Sequence, residues 1–320
     1  MLNLTLRQLR VFNAVARHLS FARASEELHL TAPAVSMQVA ELERALGLPL
    51  FQRSGRKVSL TITGEYFLLH ARRMLGTLKD AEDLLARLRS AQGGRLAIGM
   101  LSTAQYFLPR LLAGFLQERP AVEFSFTVGN REALVASLHR NELDLAVMGR
   151  PPKELDTRAE PFAAHPLGIV GAAQHPLAQL GEVRPSQLAQ ERFIVRESGS
   201  GTRGAMEAWF REQRIAPPVT MEMPGNEPIK QAVIANLGLA FLSLHTVTLE
   251  LQAGLLRVLP LAGLPLQRQW HVVHMRGKTL SPVAEALRYF ILENGESFLR
   301  AHFGHNLSGR AQDTYVRTGN

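Results

Sequence analysis

The sequence predicts an α/β chain in three parts: an all-α head carrying a basic hairpin, one long helix, and a larger α/β body. Three observations carry that expectation. Apolar residues recur at helical spacing through the first 46 positions. A heptad repeat then runs unbroken from Phe67 to Leu88. From residue 95 onward, short strand-like runs alternate with helical patterns.

Composition narrows the possibilities. The 320 residues are 46% hydrophobic and 20% charged, which suits a globular protein of two or three domains. No apolar run is long enough to span a bilayer, so no membrane partner is expected. The start, MLNLTLRQLRVFNAV, is interrupted by arginines and lacks a small-residue cleavage site, so a cytoplasmic location is expected. The absence of cysteine excludes disulfides and thiolate metal sites. Residues 1–90 carry 13 Lys/Arg against 8 Asp/Glu, whereas residues 91–320 carry 23 against 20. The basic excess sits at the head, where it suits phosphate contact; a generally basic, soluble surface is the alternative.

In the head (1–60), Leu6, Leu9, Phe12, Ala16 and Leu19 stripe a helix beginning near Thr5. Phe21, Ala24 and Leu28 mark a second helix. Val35, Val39, Leu42 and Leu46 mark a third, with Thr31 as N-cap and Pro33 in its first turn. Small residues at Ala22 and Ala24 allow the close crossing of a helix-turn-helix, whose second helix enters a major groove. GLPLFQRSGRKVSLT then reads as a wing, with Arg53, Arg56 and Lys57 at its base and tip for backbone or minor-groove contact.

The stretch Leu6–Gly64, through LRQLRVFNAVARHLSFARASEELHLT, PAVSMQVAELERALGLPLFQR and LTITG, resembles the LysR-type transcriptional regulators. The resemblance implies that Thr31, Pro33 and Ser36 face double-stranded DNA and that Arg53 lies on its backbone. RNA polymerase is the further implied partner. The family often has Gln where this chain has Ala32. Neither Ala32 nor Met37 offers more than apolar contact with a thymine methyl, so specificity falls to Ser36, the wing and DNA shape.

A linker helix (61–90) is expected from Thr61 or Thr63. Phe67, Ala71, Met74, Leu78, Ala81, Leu85 and Leu88 form its seam. A 3.5-residue period held between two domains favours a dimer interface over packing within one domain. The resemblance implies homodimers that assemble as homotetramers.

The body (91–303) begins after Gln92-Gly93-Gly94. Strand-like runs occur at 95–100, 122–128, 143–148, 167–172, 192–195, 219–223, 239–243 and 268–275, and a last helix at about Ser281–Phe303. A polar tail, 304–320, is expected to be disordered. The resemblance supplies two subdomains similar to periplasmic type 2 binding proteins, the first about 92–162 with 267–302, the second about 163–266. Four strand ends carry turn-before-helix segments suited to an anionic effector: Ser102-Thr103, GRPP with Arg150, ESGSGTR (Gly199, Ser200, Gly201, Thr202, Arg203), and GNEPIKQAV (Asn226, Lys230). Arg150, Arg203 and Lys230 are expected to converge on one cleft, with Thr202, Asn226 and His245 as weaker members. The literal GxGxxG at 199–204, with Glu222 as a ribose acceptor, is the dinucleotide alternative; a glycine-rich anion loop accounts for it equally well. No catalytic or metal constellation is found; His271 and His274 read as core or cleft wall.

GNREALVASL, MGRPPKELD, AAHPL, ESGSGTR, NEPIKQAV, LSLHT, WHVVHM and LSP are similar to the RuBisCO operon regulators. That resemblance implies an activator of carbon-fixation genes, not an enzyme. It would need no cofactor beyond its effector, an anionic or phosphorylated metabolite or NADPH. A LysR-type regulator of another pathway and a nucleotide-binding enzyme are the alternatives.

Overall fold

The computed structural model describes residues 4–54, 57–89 and 94–304, and the chain divides into two compact units between Arg89 and Ser90. In the first, α1 (Leu6–His18) starts at Thr5, whose hydroxyl accepts from the Gln8 amide while Gln8 Oε1 accepts from Thr5 N. Ser20 caps α2 (Phe21–Glu27), and Thr31 caps α3 (Ala32–Leu46), which ends on Gly47 at φ +67°. Glycine adopts that left-handed position without strain. Strands β1 (Phe51–Ser54) and β2 (Lys57–Leu60) pair antiparallel.

Thr61 heads α4 (Ile62–Arg89): its Oγ1 accepts from Gly64 N at 3.0 Å and donates to Pro49 O at 2.7 Å. A Cβ at Gly64 would overlap the Leu50 carbonyl, so the sequence LTITG needs its glycine. Phe12, Leu42, Leu50, Leu68 and Ala71 form one core and Val15, Ala24, Val35 and Val39 another.

This packing divides the expected seam. Ala71 is fully buried and Phe67 packs in the same core, so α1 and its neighbours already occupy both. Met74 and Ala81 are exposed and Leu78 half-buried. Arg56, the wing's Gly55 and the tail beyond 304 lie outside the described residues, as do the side chains of Arg53, Leu85 and Leu88.

In the second unit, β3 (Gly94–Leu101), α5 (Leu108–Glu118), β4 (Val122–Gly129), α6 (Arg131–His139) and β5 (Leu145–Met148) build a parallel lobe. β6 (Thr157–Ala172) leaves it. A second lobe follows from β7 (Phe193–Arg196), α7 (Gly201–Glu212), β8 (Val219–Met223), α8 (Glu227–Ile234), β9 (Ala240–Ser243), α9 (Thr248–Gln252) and β10 (Leu256–Val258). β11 (Leu266–Met275) returns, and α10 (Pro282–Phe303) closes the first lobe.

β6 and β11 pair antiparallel from Thr157↔Met275 to Leu167↔Leu266, with a bulge at Trp270/His271. At Leu167, β6 gains β9 as partner, and β10 from Val170. The sequence expectation reached only 167–172 of this 16-residue strand. Pro161 and Pro166 read as breakers, yet Pro161 lies at the bulge and Pro166 one residue before the changeover, positions where a missing donor is tolerated. Ile98, Leu108, Phe115, Trp270 and Ile291 centre the first lobe's core. Ile169, Phe193, Trp209 and Phe241 lie in one core of the second, and Ile194, Ile229 and Leu242 in another. Among the described residues no helix is long and apolar enough to cross a membrane.

Candidate functional site

Two surfaces follow from this architecture, one in each unit. At the start of α3 the inward positions Val35, Val39 and Leu42 are buried, so the chain's 3.6-residue period leaves Thr31, Ala32, Pro33 and Met37 exposed, with Ser36 half-buried. Met37 is 55% exposed, an apolar side chain held in solvent beside a helix N-terminus. Lys57 is exposed on β2, opposite Ser54 in register.

In the second unit a cleft opens where β6 changes partners. Ser102 and Thr103 after β3 line it, as do Asn130 and Arg131 opening α6, Gly149 and Arg150 after β5, and Ser200, Gly201 and Thr202 opening α7. His165 of β6, Arg196 of β7 and Arg268 of β11 complete the wall. Ser200 Oγ accepts from the Arg203 amide at 3.4 Å, so α7 points its positive end at the cleft.

The arginines differ in what they face. Arg196 is buried and uses four of its five donors: two bonds to Glu197 at 2.8 Å, one to Asn226 Oδ1 at 2.7 Å and one to Ser102 Oγ at 3.0 Å. Its guanidinium holds the Glu197 carboxyl below its ordinary range against the opposing effect of burial. Arg131 forks onto Glu154 at 2.9 and 3.0 Å and holds that carboxyl at about 2. Arg150 and Arg268 form no ion pair among the described residues, and burial followed by the charge of Arg150 lowers the Arg268 pKa. Two like charges beside a helix N-terminus are chemistry that favours an anion.

Of the residues expected from the sequence, the cleft brings together Ser102, Thr103, Arg150, Ser200, Gly201 and Thr202, and Gly199 lines an adjoining recess with Lys153 and Glu154. The expected convergence of three cations is corrected: Arg150 alone of them lines the cleft. Arg203 turns to Glu207, Glu222 and the Arg196 carbonyl. That pairing also engages Glu222, the proposed ribose acceptor. Lys230 is buried, bonded to Glu250 at 2.8 Å and Thr246 O at 3.1 Å, with Glu227 at 2.6 Å. Asn226 is bound to Arg196 and to Ser102 O, and His245 accepts from Trp270 Nε1 at 3.2 Å inside the core. His271 and His274 meet backbone carbonyls, each at 3.0 Å.

Sequence reading missed Arg131, His165, Arg196 and Arg268. Arg131 lies within GNREALVASL, His165 within AAHPL, and Arg196 directly before ESGSGTR, while Arg268 precedes WHVVHM by two residues; the motifs are legible, but nothing local shows that these four side chains meet at one cleft.

A helix-turn-helix head with an exposed second helix, joined to a two-lobed body with a cation-lined cleft, defines a ligand-responsive DNA-binding regulator. The chain belongs to the LysR family: residues 6–65 match the bacterial regulatory helix-turn-helix protein model of the lysR family, and residues 89–296 the LysR substrate binding domain. It is 48% identical to the HTH-type transcriptional regulator CfxR of Cupriavidus necator, over 96% of this chain and 97% of that one. It is 46% identical to the RuBisCO operon transcriptional regulator of Allochromatium vinosum, over 91% and 96%. The Synechocystis CcmR regulatory domain in complex with 2-PG superposes with TM-score 0.61 at 36% identity, covering 63% of this chain and 97% of that one.

Proposed function

We propose that this chain is a cytoplasmic LysR-type activator of carbon-fixation genes whose cleft takes a small anionic, phosphorylated metabolite. The observation that carries the effector reading is the Arg150–Arg268 pair. Both cations line the cleft, each lacks an ion-pair partner among the described residues, and the N-terminus of α7 adds a third positive element, so a bound anion would be favoured there. The solved complex with 2-phosphoglycolate (2-PG) makes that compound the first probe, ahead of ribulose bisphosphate and NADPH.

The head, residues 1–60, would bind double-stranded DNA through Thr31, Ala32, Pro33, Ser36 and Met37, with Arg53, Arg56 and Lys57 on the backbone. Residues 61–90 would join two copies through Met74, Leu78 and Ala81, continuing to Leu85 and Leu88, and exposed Tyr66 and Leu69 extend the apolar surface available. Two heads are needed because one helix-turn-helix reads only a few base pairs. Dimers would pair as tetramers. Effector binding in the body, 91–303, would favour one lobe arrangement, and that differential affinity would alter the DNA bend presented to RNA polymerase. The chain would run no reaction of its own.

The test is selection of bound duplexes from a random pool, followed by footprinting with and without 2-PG. A dyad-symmetric site whose protection changes with ligand is the expected result. Binding without sequence preference would contradict the reading.

A further inference from the structure

His165 is 4% exposed, lines the cleft, and neither ring nitrogen has a hydrogen-bond partner among the described residues. Its ring stacks on Trp270, centroids 3.8 Å apart and planes 16° from parallel. Gly149 presses against its edge, where a Cβ would stand 2.6 Å from Nδ1. Packing therefore fixes the ring while its polar atoms stay unsatisfied, and a buried polar group is costly to leave so. A ligand is the partner the cleft can supply.

The charged and titratable groups around it are Arg268 and His271 on β11 and His245 after β9. Arg150 lines the same cleft, and Glu296 of α10 is engaged by the Ala164 amide at 3.1 Å. Burial first, and then the positive charge of neighbours including Arg268, push its pKa well down, so the ring is neutral in the unliganded protein. A dianion set between Arg150 and Arg268 reverses the sign of that field.

We propose that His165 is a ligand-contacting residue of this cleft, and that a phosphorylated dianion enters together with one proton, which the imidazole takes from solvent and uses to donate to the ligand. This rests on the reading of the cleft as an anion site. It adds a dependence that site lacks otherwise: affinity for the dianion rises as pH falls, opposite to the loss from protonation of the phosphate itself near pH 6.

The experiment is calorimetric titration of the full chain with 2-PG at pH 7.5, in two buffers of different ionisation enthalpy, for wild type, His165→Gln and Gly149→Ala. Wild type should take up roughly one proton per ligand. His165→Gln should bind about tenfold more weakly with that uptake lost. Gly149→Ala keeps the imidazole but displaces it, and should lower both quantities, which decides the matter where the glutamine variant does not fold. Equal affinity and equal proton uptake in wild type and variant overturn the proposal while leaving the cleft reading intact. Failure of wild type to bind 2-PG, ribulose bisphosphate or NADPH overturns the cleft reading and this proposal with it.

Discussion

Arg196 Nη2 donates to Ser102 Oγ at 3.0 Å, joining residues 94 positions apart on opposite lobes of the second unit. The same guanidinium holds Asn226, whose amide returns a bond to the Ser102 carbonyl at 3.1 Å. One buried cation thus ties the cleft's far wall to its near wall. Arg196→Met removes the cation from Glu197 and the donor from Asn226 Oδ1 and should cost the second unit about 3 kcal/mol, seen as a lower urea midpoint. Ser102→Ala removes a single bond and should cost about 1 kcal/mol. Equal losses from the two would contradict the centrality of Arg196.

Lys230 is a structural ammonium. Its removal as Lys230→Met strands Glu250, whose Oε2 is already buried without a partner. A loss of about 3 kcal/mol is expected, and Lys230→Met with Glu250→Gln should recover part of it. Ligand affinity in the folded double variant should stay within about twofold of wild type, because neither residue lines the cleft.

The His245–Trp270 bond makes stability depend on pH. Burial lowers the His245 pKa from 6.5 to about 4, and Nδ1 must stay unprotonated to accept from Trp270. Below pH 6.5 the unfolded chain binds a proton that the folded chain refuses. The stabilisation is therefore whole above pH 6.5 and is lost as pH falls toward 4, about 3 kcal/mol in total. Burial lowers His165 in the same direction. Denaturant midpoints at pH 7.5, 6 and 5 should fall steadily, and His245→Asn should flatten the curve; a flat wild-type curve would count against a neutral buried ring.

On the DNA side, Met37 and Lys57 should separate base contact from phosphate contact. Met37→Glu puts a negative charge on the exposed face of α3 and should abolish specific binding, whereas Met37→Ala should cost about 1 kcal/mol at sites carrying a facing thymine. Lys57→Ala should weaken all duplexes alike and reduce the slope of log affinity against log salt by about 0.9. Anisotropy titrations over a range of salt concentrations measure both.

The three helices of the head were legible because their signals are local. Thr5, Ser20 and Thr31 cap within three residues of their own sequence, and Val35, Val39 and Leu42 show the buried face directly. The strands β3, β4, β8 and β9 were legible for the same reason, as apolar runs between turns. The first half of β6 was not, because its ten-residue pairing with β11 overrides the signals of Pro161 and Pro166. The site divides similarly. Sequence places Arg203 beside a turn that lines the cleft and Lys230 beside one that does not, but says nothing of side-chain direction, and each finds a carboxylate outside the cleft. Arg268 lies just outside WHVVHM, and only pairing of its strand with β6 brings it into the cleft with Arg150.

The most direct measurement is 2-PG binding by calorimetry to wild type, Arg268→Ala and Arg203→Ala, in phosphate-free buffer. Wild type should bind saturably, Arg203→Ala with an affinity within about twofold of it, and Arg268→Ala at least about tenfold more weakly. Retained binding in Arg268→Ala with loss in Arg203→Ala would place the anion outside this cleft and contradict the account.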